Sequence, residues 1–186
     1  MSEASIFAQS TRPSRLRIVS DPLETVSPSS LVTRRRYDLA VKYNLFRCRL
    51  SDSEFDEADA ERVYRWHIKK RRASGFIDAE KQEYGVDQTL DRYVADARRL
   101  LMSMTIFGFD PQFAIPVDPS GEILGGAHRL AAALALGLNE VPVRCMDQAA
   151  WSPDWGCQWF VDQGMGEDDL QRLERNWRVI HGRVSL

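Results

Sequence analysis

Residues 125–129, Gly-Gly-Ala-His-Arg, are the part of this chain whose types and spacing best suit chemistry. Two glycines permit a tight turn and a close approach of the backbone to a ligand. An alanine-rich run follows, which predicts a helix whose first amides have no intrahelical acceptor and can bind an anion. His128 and Arg129 would lie in its first turn, where the helix dipole disfavours a cation by roughly 0.3–1 kcal/mol. By spacing alone, a phosphate site and an ordinary strand-to-helix turn remain equal alternatives.

The elements next to this turn follow from hydrophobic spacing and turn residues. Pro142 is typical of an edge strand or of a strand start, because proline cannot donate to a sheet ladder. A β-hairpin is therefore expected to lead into the turn, and a helix and a strand to follow it. The predicted order is a strand over 113–117, a turn over 118–121, a returning strand over 122–124, a helix from His128 to near Gly137 and a strand over 141–145.

Four further helices are predicted. They cover 37–50, with Asp38 and Lys42 on the polar face; a stretch from a capping pattern at Ser53 to the basic run 69–72; Leu90 to near Gly108; and a last helix from about Glu167. Acidic residues precede the basic run, which favours a solvated helix end over anion or partner binding. The tryptophans Trp151, Trp155 and Trp159 recur every four residues, which favours packing of the C-terminal helices over ligand stacking.

Composition limits the class of protein. The 186 residues are 44% hydrophobic with a net charge of −2, which suits one domain and argues against binding nucleic acid by charge alone. The longest apolar run, 130–136, is too short to span a membrane, and the first twenty residues lack a secretory signal. The three cysteines have no metal-ligand spacing with each other or with histidine, so we expect no metal site built from these residue types and a cytoplasmic location.

The segment from Asp91 through Cys145 resembles the ParB/sulfiredoxin superfamily over about a third of the chain. The motifs that carry the resemblance are a helix ending in FGFDP, a strand IPV, and then ILGGAHRLAAALALGLNEVPV with its G-x-x-R core. The resemblance implies an α+β core, a small mixed sheet with packed helices. In relatives the equivalent turn holds nucleotide phosphates: ATP in sulfiredoxin, CTP in ParB, and ADP or ATP in the free-serine kinases. By that resemblance Gly125, Gly126, Ala127, His128 and Arg129 would line the phosphates.

Two departures decide which activity the resemblance carries. Ala127 stands where sulfiredoxin has its catalytic cysteine, so repair of sulfinic acids is not expected. About 40 residues follow Cys145 and they are Trp-rich and acidic, so the helix-turn-helix reader of partition ParB is not expected either. The chain is thus nearer to the small-molecule kinase branch.

The leading hypothesis is an ATP- or ADP-dependent kinase or phosphotransferase for a small hydroxylated metabolite, such as an amino acid, a sugar or a polysaccharide precursor. CTP is the alternative nucleotide, and Mg²⁺ is expected between phosphates. His128 and Arg129 would neutralise the transferred group. A carboxylate must orient or deprotonate the acceptor, with Asp38 the first candidate and Asp118 the second, and Arg36 and Lys42 could bind an anionic acceptor. An i,i+4 ion pair with Lys42, worth about 0.3–0.5 kcal/mol, explains Asp38 equally well.

The domain organisation follows from these assignments. Residues 1–30 are expected to form a partly flexible arm and 31–186 a single domain. That domain would hold a helical, substrate-specifying insert over 31–87, a nucleotide-binding core over 88–146 and C-terminal helices over 147–186. The alternative functions are a non-catalytic nucleotide-binding switch or interaction module, and a ParB-like DNA-associated protein that uses the basic residues of 62–72.

Overall fold

The computed structural model of the protein describes residues 23–50, 56–74, 86–147 and 155–182. In these ranges the chain is an α+β protein in which six α-helices pack around a small three-stranded mixed sheet, so the expected fold class is confirmed. The strands are β1 (Glu24–Val26), β2 (Ile115–Val117) and β3 (Val141–Cys145). The helices are α1 (Asp38–Arg47), α2 (Glu57–Ala73), α3 (Val86–Phe107), α4 (Ala127–Leu136), α5 (Cys157–Asp162) and α6 (Glu167–Gly182).

The central strand of the sheet is β3, with β2 parallel to it on one side and β1 antiparallel on the other. A parallel pair needs a crossover connection, which α4 supplies between β2 and β3. Pro142 faces Thr25 at the second position of β3. Pro142 therefore lies near the beginning of a strand, as one alternative predicted. The other alternative, an edge strand, is wrong because β3 is central. The strand β1 and a 3₁₀ turn over 28–31 lie within or next to the segment that we expected to be an arm.

The predicted hairpin is shorter than expected. Instead of a returning strand over 122–124, there is one isolated antiparallel bridge between Val117 and Ile123. The Leu124 amide donates to the Pro116 carbonyl at 2.8 Å, and the backbone then leaves the sheet at Gly125. The two glycines come too soon after the turn for a second strand to extend.

Helix α1 is buried on all sides. It packs against α4, α2 and α6, and Leu39, Ala40 and Phe46 have no exposed surface. The expected polar face, with Asp38 and Lys42, is buried as well. A helix with no solvated stripe is a core helix, so its charged groups must find their partners inside the protein.

The other helices begin and end near the predicted residues. Asp56 caps α2 by accepting from the Ala58 amide at 2.9 Å. Trp177 of α6 stacks on Tyr37 with 5.0 Å between ring centroids, and Trp159 packs edge-on against Trp66, which is the expected packing role for C-terminal tryptophans. The sequence also predicts a strand-like segment over 16–19 and a loop over 76–86. Val86 instead begins α3, while Ser53, Trp151, residues 16–19 and residues 76–85 lie outside the described residues. Among the described helices, none is long and apolar enough to cross a bilayer.

Leu130→Ala is expected to lower the free energy of unfolding by about 2–5 kcal/mol, because Leu130 is fully buried on α4 and its truncation leaves a cavity. Urea denaturation measures the change. The matched control is Met102→Ala on α3, where the side chain is 64% exposed and the loss should stay within about 0.5 kcal/mol. Equal losses in both variants would contradict the placement of α4 in the core.

Candidate functional site

A cavity of about 720 Å³ lies where the glycine turn, α1, α3 and the end of α2 meet. It brings together most of the residues predicted from the sequence. Those that line it are Arg36, Asp38, Lys42, Gly125, Gly126, Ala127, His128 and Arg129. The lining also includes an apolar group, here called the apolar wall, formed by Ala97, Leu100, Met104, Phe109 and Phe113. The cavity is thus lined by both cationic and apolar side chains.

The glycine turn has the backbone geometry of a helix start. Gly126 is the N-cap of α4 with φ of +75°, a conformation that side chains other than glycine rarely adopt. A Cβ at Gly126 would also lie 3.1 Å from Nη2 of Arg129. The first helical bond runs from the Leu130 amide to the Gly126 carbonyl at 2.9 Å, so the amides of residues 127–129 precede the intrahelical ladder. This is the arrangement that an anion site at a helix N-terminus requires.

Arg129 is half-buried at this helix start. Its Nη1 donates to the Ala114 carbonyl at 3.2 Å, which fixes the guanidinium over the turn. Burial lowers the pKa of Arg129, and among the described residues no carboxylate counteracts that shift. A desolvated cation at the positive end of a helix would be stabilised by a bound anion.

His128 is held by α2. Its Nε2 lies 2.7 Å from the Tyr64 hydroxyl oxygen, and the two rings meet edge to face. Tyr64 itself is fully buried. Helix α2 therefore orients a side chain of the glycine turn. No linear motif joins residues 64 positions apart, and for that reason Tyr64 was missed from the sequence.

Asp38 lies at the centre of a buried charge network. Its two carboxylate oxygens accept from Nε and Nη2 of Arg36 at 2.8 and 3.0 Å, and Oδ2 also accepts from Nζ of Lys42 at 2.5 Å. The i,i+4 ion pair is therefore present, but with 0–1% side-chain exposure rather than on a solvated face. Burial alone would raise the pKa of Asp38, but Arg36 and Lys42 outweigh it and hold that pKa well below its usual range. Burial lowers the pKa of Lys42 to about 8.

Asp118, the second candidate for a catalytic carboxylate, does not line the cavity. Its Oδ1 accepts from the amide and the hydroxyl of Ser120 at 2.8 and 2.6 Å, and from the amide of Glu122 at 2.9 Å. This carboxylate organises the turn that leads to Ile123. The turn sequence Asp-Pro-Ser-Gly is typical of such local hydrogen bonding, a signal that favours a structural role.

The basic run at the end of α2 is not a uniform solvated helix end. Lys69 is exposed, Nζ of Lys70 lies 5.5 Å from the Trp66 ring centroid, and Arg72 donates to the Thr89 hydroxyl at 2.9 Å. Of the four, Arg71 lines the cavity, with its guanidinium carbon 4.6 Å from the ring centroid of Trp155. No pattern in the sequence distinguishes Arg71 from its neighbours.

His67 is buried behind the cavity wall. Its ring stacks on Phe160 at 5.5 Å, and neither ring nitrogen has a hydrogen-bond partner within the described part of the chain. Burial, together with the positive charges of Lys42 and Arg71, holds its pKa well below the usual value. His67 is therefore a neutral packing residue.

In the described ranges, no group of three or more His, Cys, Asp or Glu side chains could hold a metal ion by itself. Two acidic side chains, Asp96 and Asp110, line the cavity in addition to Asp38. Asp96 pairs with Arg99 at 2.5 Å, and Asp110 accepts from the Gln112 amide at 2.9 Å. A divalent cation here would need ligand oxygens from elsewhere, such as a polyphosphate.

Comparisons of the chain with protein-family models, curated protein sequences and solved structures found no match. The resemblance to the ParB/sulfiredoxin superfamily accordingly rests on the residues of its motif.

The free energy of unfolding is expected to rise with pH between about 8 and 10.5 because of Lys42. The folded-state pKa of about 8 is below the ordinary 10.5, so the unfolded chain binds more protons in this window. One such group contributes a slope of at most about 1.4 kcal/mol per pH unit. Urea denaturation at several pH values should show a growing stability difference between the wild type and Lys42→Met. A pH-independent difference would contradict the shift.

Proposed function

We propose that the protein binds a nucleotide in this cavity and acts as an ATP- or ADP-dependent kinase or phosphotransferase for a small hydroxylated metabolite. The observation that carries the proposal is the meeting, in one cavity, of the helix start at Gly126 and the buried charge network around Asp38. Phosphoryl transfer depends mainly on positioning and on stabilisation of charge, and these groups supply both.

The phosphates would bind at the first turn of α4. Phosphate oxygens would accept charge-assisted hydrogen bonds from the Arg129 guanidinium and from the amides of residues 127–129. His128, which Tyr64 holds in place, would stabilise the negative charge that develops on the transferred group. CTP would meet the same phosphate contacts and remains the alternative nucleotide.

The apolar wall of the cavity supports a nucleotide rather than a free phosphate. Leu100 and Met104 of α3, with Phe109 and Phe113, present carbon surface that a flat base can contact. A cavity of about 720 Å³ is within the range of roughly 300–1,000 Å³ for small-molecule sites. We therefore place the base against α3 and the phosphates at α4.

The contacts of Asp38 favour a positioning role for this carboxylate. Both oxygens already accept hydrogen bonds, and a carboxylate with a strongly lowered pKa is a weak base. Asp38 would hold Arg36 and Lys42 in place for the acceptor. Lys42 would contact the acceptor as a cation, because a pKa of about 8 leaves most of this side chain protonated at neutral pH.

Mg²⁺ would reach the site with the nucleotide. This ion keeps several waters and binds through phosphates and one or two carboxylates. Asp96 and Asp110 line the cavity and are the side chains that could add an oxygen ligand. In this role the ion would neutralise charge between phosphates.

The parallel pair of β2 and β3, joined by α4, supports a ParB/sulfiredoxin-like core within the proposed assignment. Ala127 begins α4 in place of a nucleophile, so the proposal excludes repair of sulfinic acids. A cytosolic location, where ATP is held and thiols stay reduced, agrees with the free cysteines Cys48, Cys145 and Cys157.

Arg129→Ala is expected to weaken nucleotide binding about 10- to 100-fold, since a hydrogen bond to a charged group contributes about 1.5–3 kcal/mol. Calorimetric titration with ATP, ADP and CTP, each with and without Mg²⁺, measures the affinity. The control is Arg178→Ala on α6, which removes the same charge. The Arg178 side chain is 72% exposed and pairs with Glu174. Unchanged affinity in a folded Arg129→Ala protein would refute the phosphate assignment.

Transfer chemistry needs its own test, because a nucleotide-binding switch would bind equally well. The engaged oxygens of Asp38 are the observation that favours this second function. We expect wild-type protein to consume nucleotide when a suitable hydroxylated metabolite is added, and Lys42→Met to bind nucleotide without consuming it. Coupled nucleotide assays across a metabolite panel measure this. Binding without consumption for the whole panel would favour the switch.

A further inference from the structure

We propose that Arg36, Lys42 and Arg71 form a second anion site, distinct from the phosphate site at α4, which binds a carboxylate or phosphate group of the acceptor. The role as acceptor site rests on the proposed function, whereas the anion site itself rests on the contacts described below. The inference narrows the acceptor from any hydroxylated metabolite to one that also carries an oxyanion.

The charge balance of the cluster calls for an anion. Three cations, Arg36, Lys42 and Arg71, line the cavity with one carboxylate among them, that of Asp38, so their formal sum is +2. The charge of Glu122 also acts on Arg36 from outside the cavity lining, and an excess of +1 remains when it is counted. Arg36 and Lys42 are 4% and 1% exposed, so water contributes little to stabilising their charges. A desolvated excess of positive charge is costly unless an anion compensates it.

Contacts with an aromatic ring orient two of the donor side chains. Arg36 and Arg71 lie 5.5 and 4.6 Å from the ring centroid of the same buried tryptophan, Trp155. Both guanidinium groups therefore contact one ring, although Arg36 precedes α1 and Arg71 belongs to α2. Preorganised guanidinium planes are the groups best suited to bidentate contacts with carboxylate or phosphate.

Donor capacity remains after the internal contacts are made. Arg36 uses Nε and Nη2 for Asp38, and among the described residues its Nη1 meets the Ile123 carbonyl, at the long distance of 3.5 Å. Lys42 directs its two hydrogen bonds to the side chain and carbonyl of Asp38, which leaves a third N–H. The buried Nε of Arg71 has no hydrogen-bond partner among the described residues.

The second site is next to the first but on different elements. Arg71 belongs to α2 and Lys42 to α1, and Arg36 lies two residues before α1. The phosphate site, in contrast, is the start of α4. Arg36 links the two sites, because its Nη1 donates to the carbonyl of Ile123, which precedes Gly125 by two residues. A short acceptor anchored by its anion could therefore present a hydroxyl towards the phosphates.

The test uses three compounds with one carbon skeleton: glycerol, glycerate and glycerol 3-phosphate. With the nucleotide site saturated by a non-hydrolysable ATP analogue and Mg²⁺, calorimetry should show that wild-type protein binds glycerate, glycerol 3-phosphate or both, but not glycerol. The tighter of the two anions identifies carboxylate or phosphate as the group. No binding of either anion, or equal binding of glycerol, would overturn the inference.

Arg71→Met should weaken anion binding at least 10-fold, because methionine keeps carbon contact with Trp155 but removes the charge. Nucleotide affinity should fall by less than anion affinity, because the phosphate donors at the start of α4 are retained. Lys69→Met is the matched control, since it removes a charge from an exposed side chain on the same helix. Equal anion affinity in the two variants would overturn the site.

The failure of the proposed function gives a different result. If wild-type protein binds no nucleotide, the same titrations are made without the analogue, and the anion site predicts that Arg71→Met still differs from Lys69→Met. If nucleotide binds and is consumed but neither anion binds, the proposed function stands and this inference falls.

Discussion

A carboxylate without exposed surface, fixed between an arginine and a lysine, is the constraint on which the rest of this molecule depends. Asp38, Arg36 and Lys42 cannot be solvated, so α1 must remain enclosed by α2, α4 and α6 for the charges to stay paired. Removing one partner of a buried ion pair generally costs about 3–5 kcal/mol, because the other charge is left without compensation. The network thus ties the geometry of the cavity to the integrity of the core.

The cavity is formed by the glycine turn together with helices from other parts of the chain. The motif supplies the strand, the glycine turn and the start of α4, while α2 contributes Tyr64, which contacts His128, and Arg71, which lines the cavity. Trp155, which precedes α5, adds an aromatic ring that two guanidinium groups contact. Segments distant in sequence therefore decide what the turn can bind, and a conclusion from the turn alone would miss most of the charged side chains that line the cavity.

What could be predicted from the sequence was local. The order of β2, α4 and β3 and the extent of α1 followed from hydrophobic spacing and from glycines, because these patterns act over a few residues. The burial of Asp38 and Lys42 could not be predicted, since the i,i+4 spacing is the same for a solvated pair and a core pair. Likewise Tyr64 and Arg71 depend on tertiary contacts. The strand β1 escaped because three residues, two of them exposed, carry almost no pattern.

The pairing of β1 with β3 has a consequence for how the protein is made. Glu24 pairs with Val143, so 119 positions separate the partners (143 minus 24). At a synthesis rate of about 5–20 residues per second, β1 is synthesised roughly 6–24 s before β3. During that interval its edge has no native partner. The exposed Glu24 and Thr25 make this edge polar, which limits its pairing with other nascent chains while it waits.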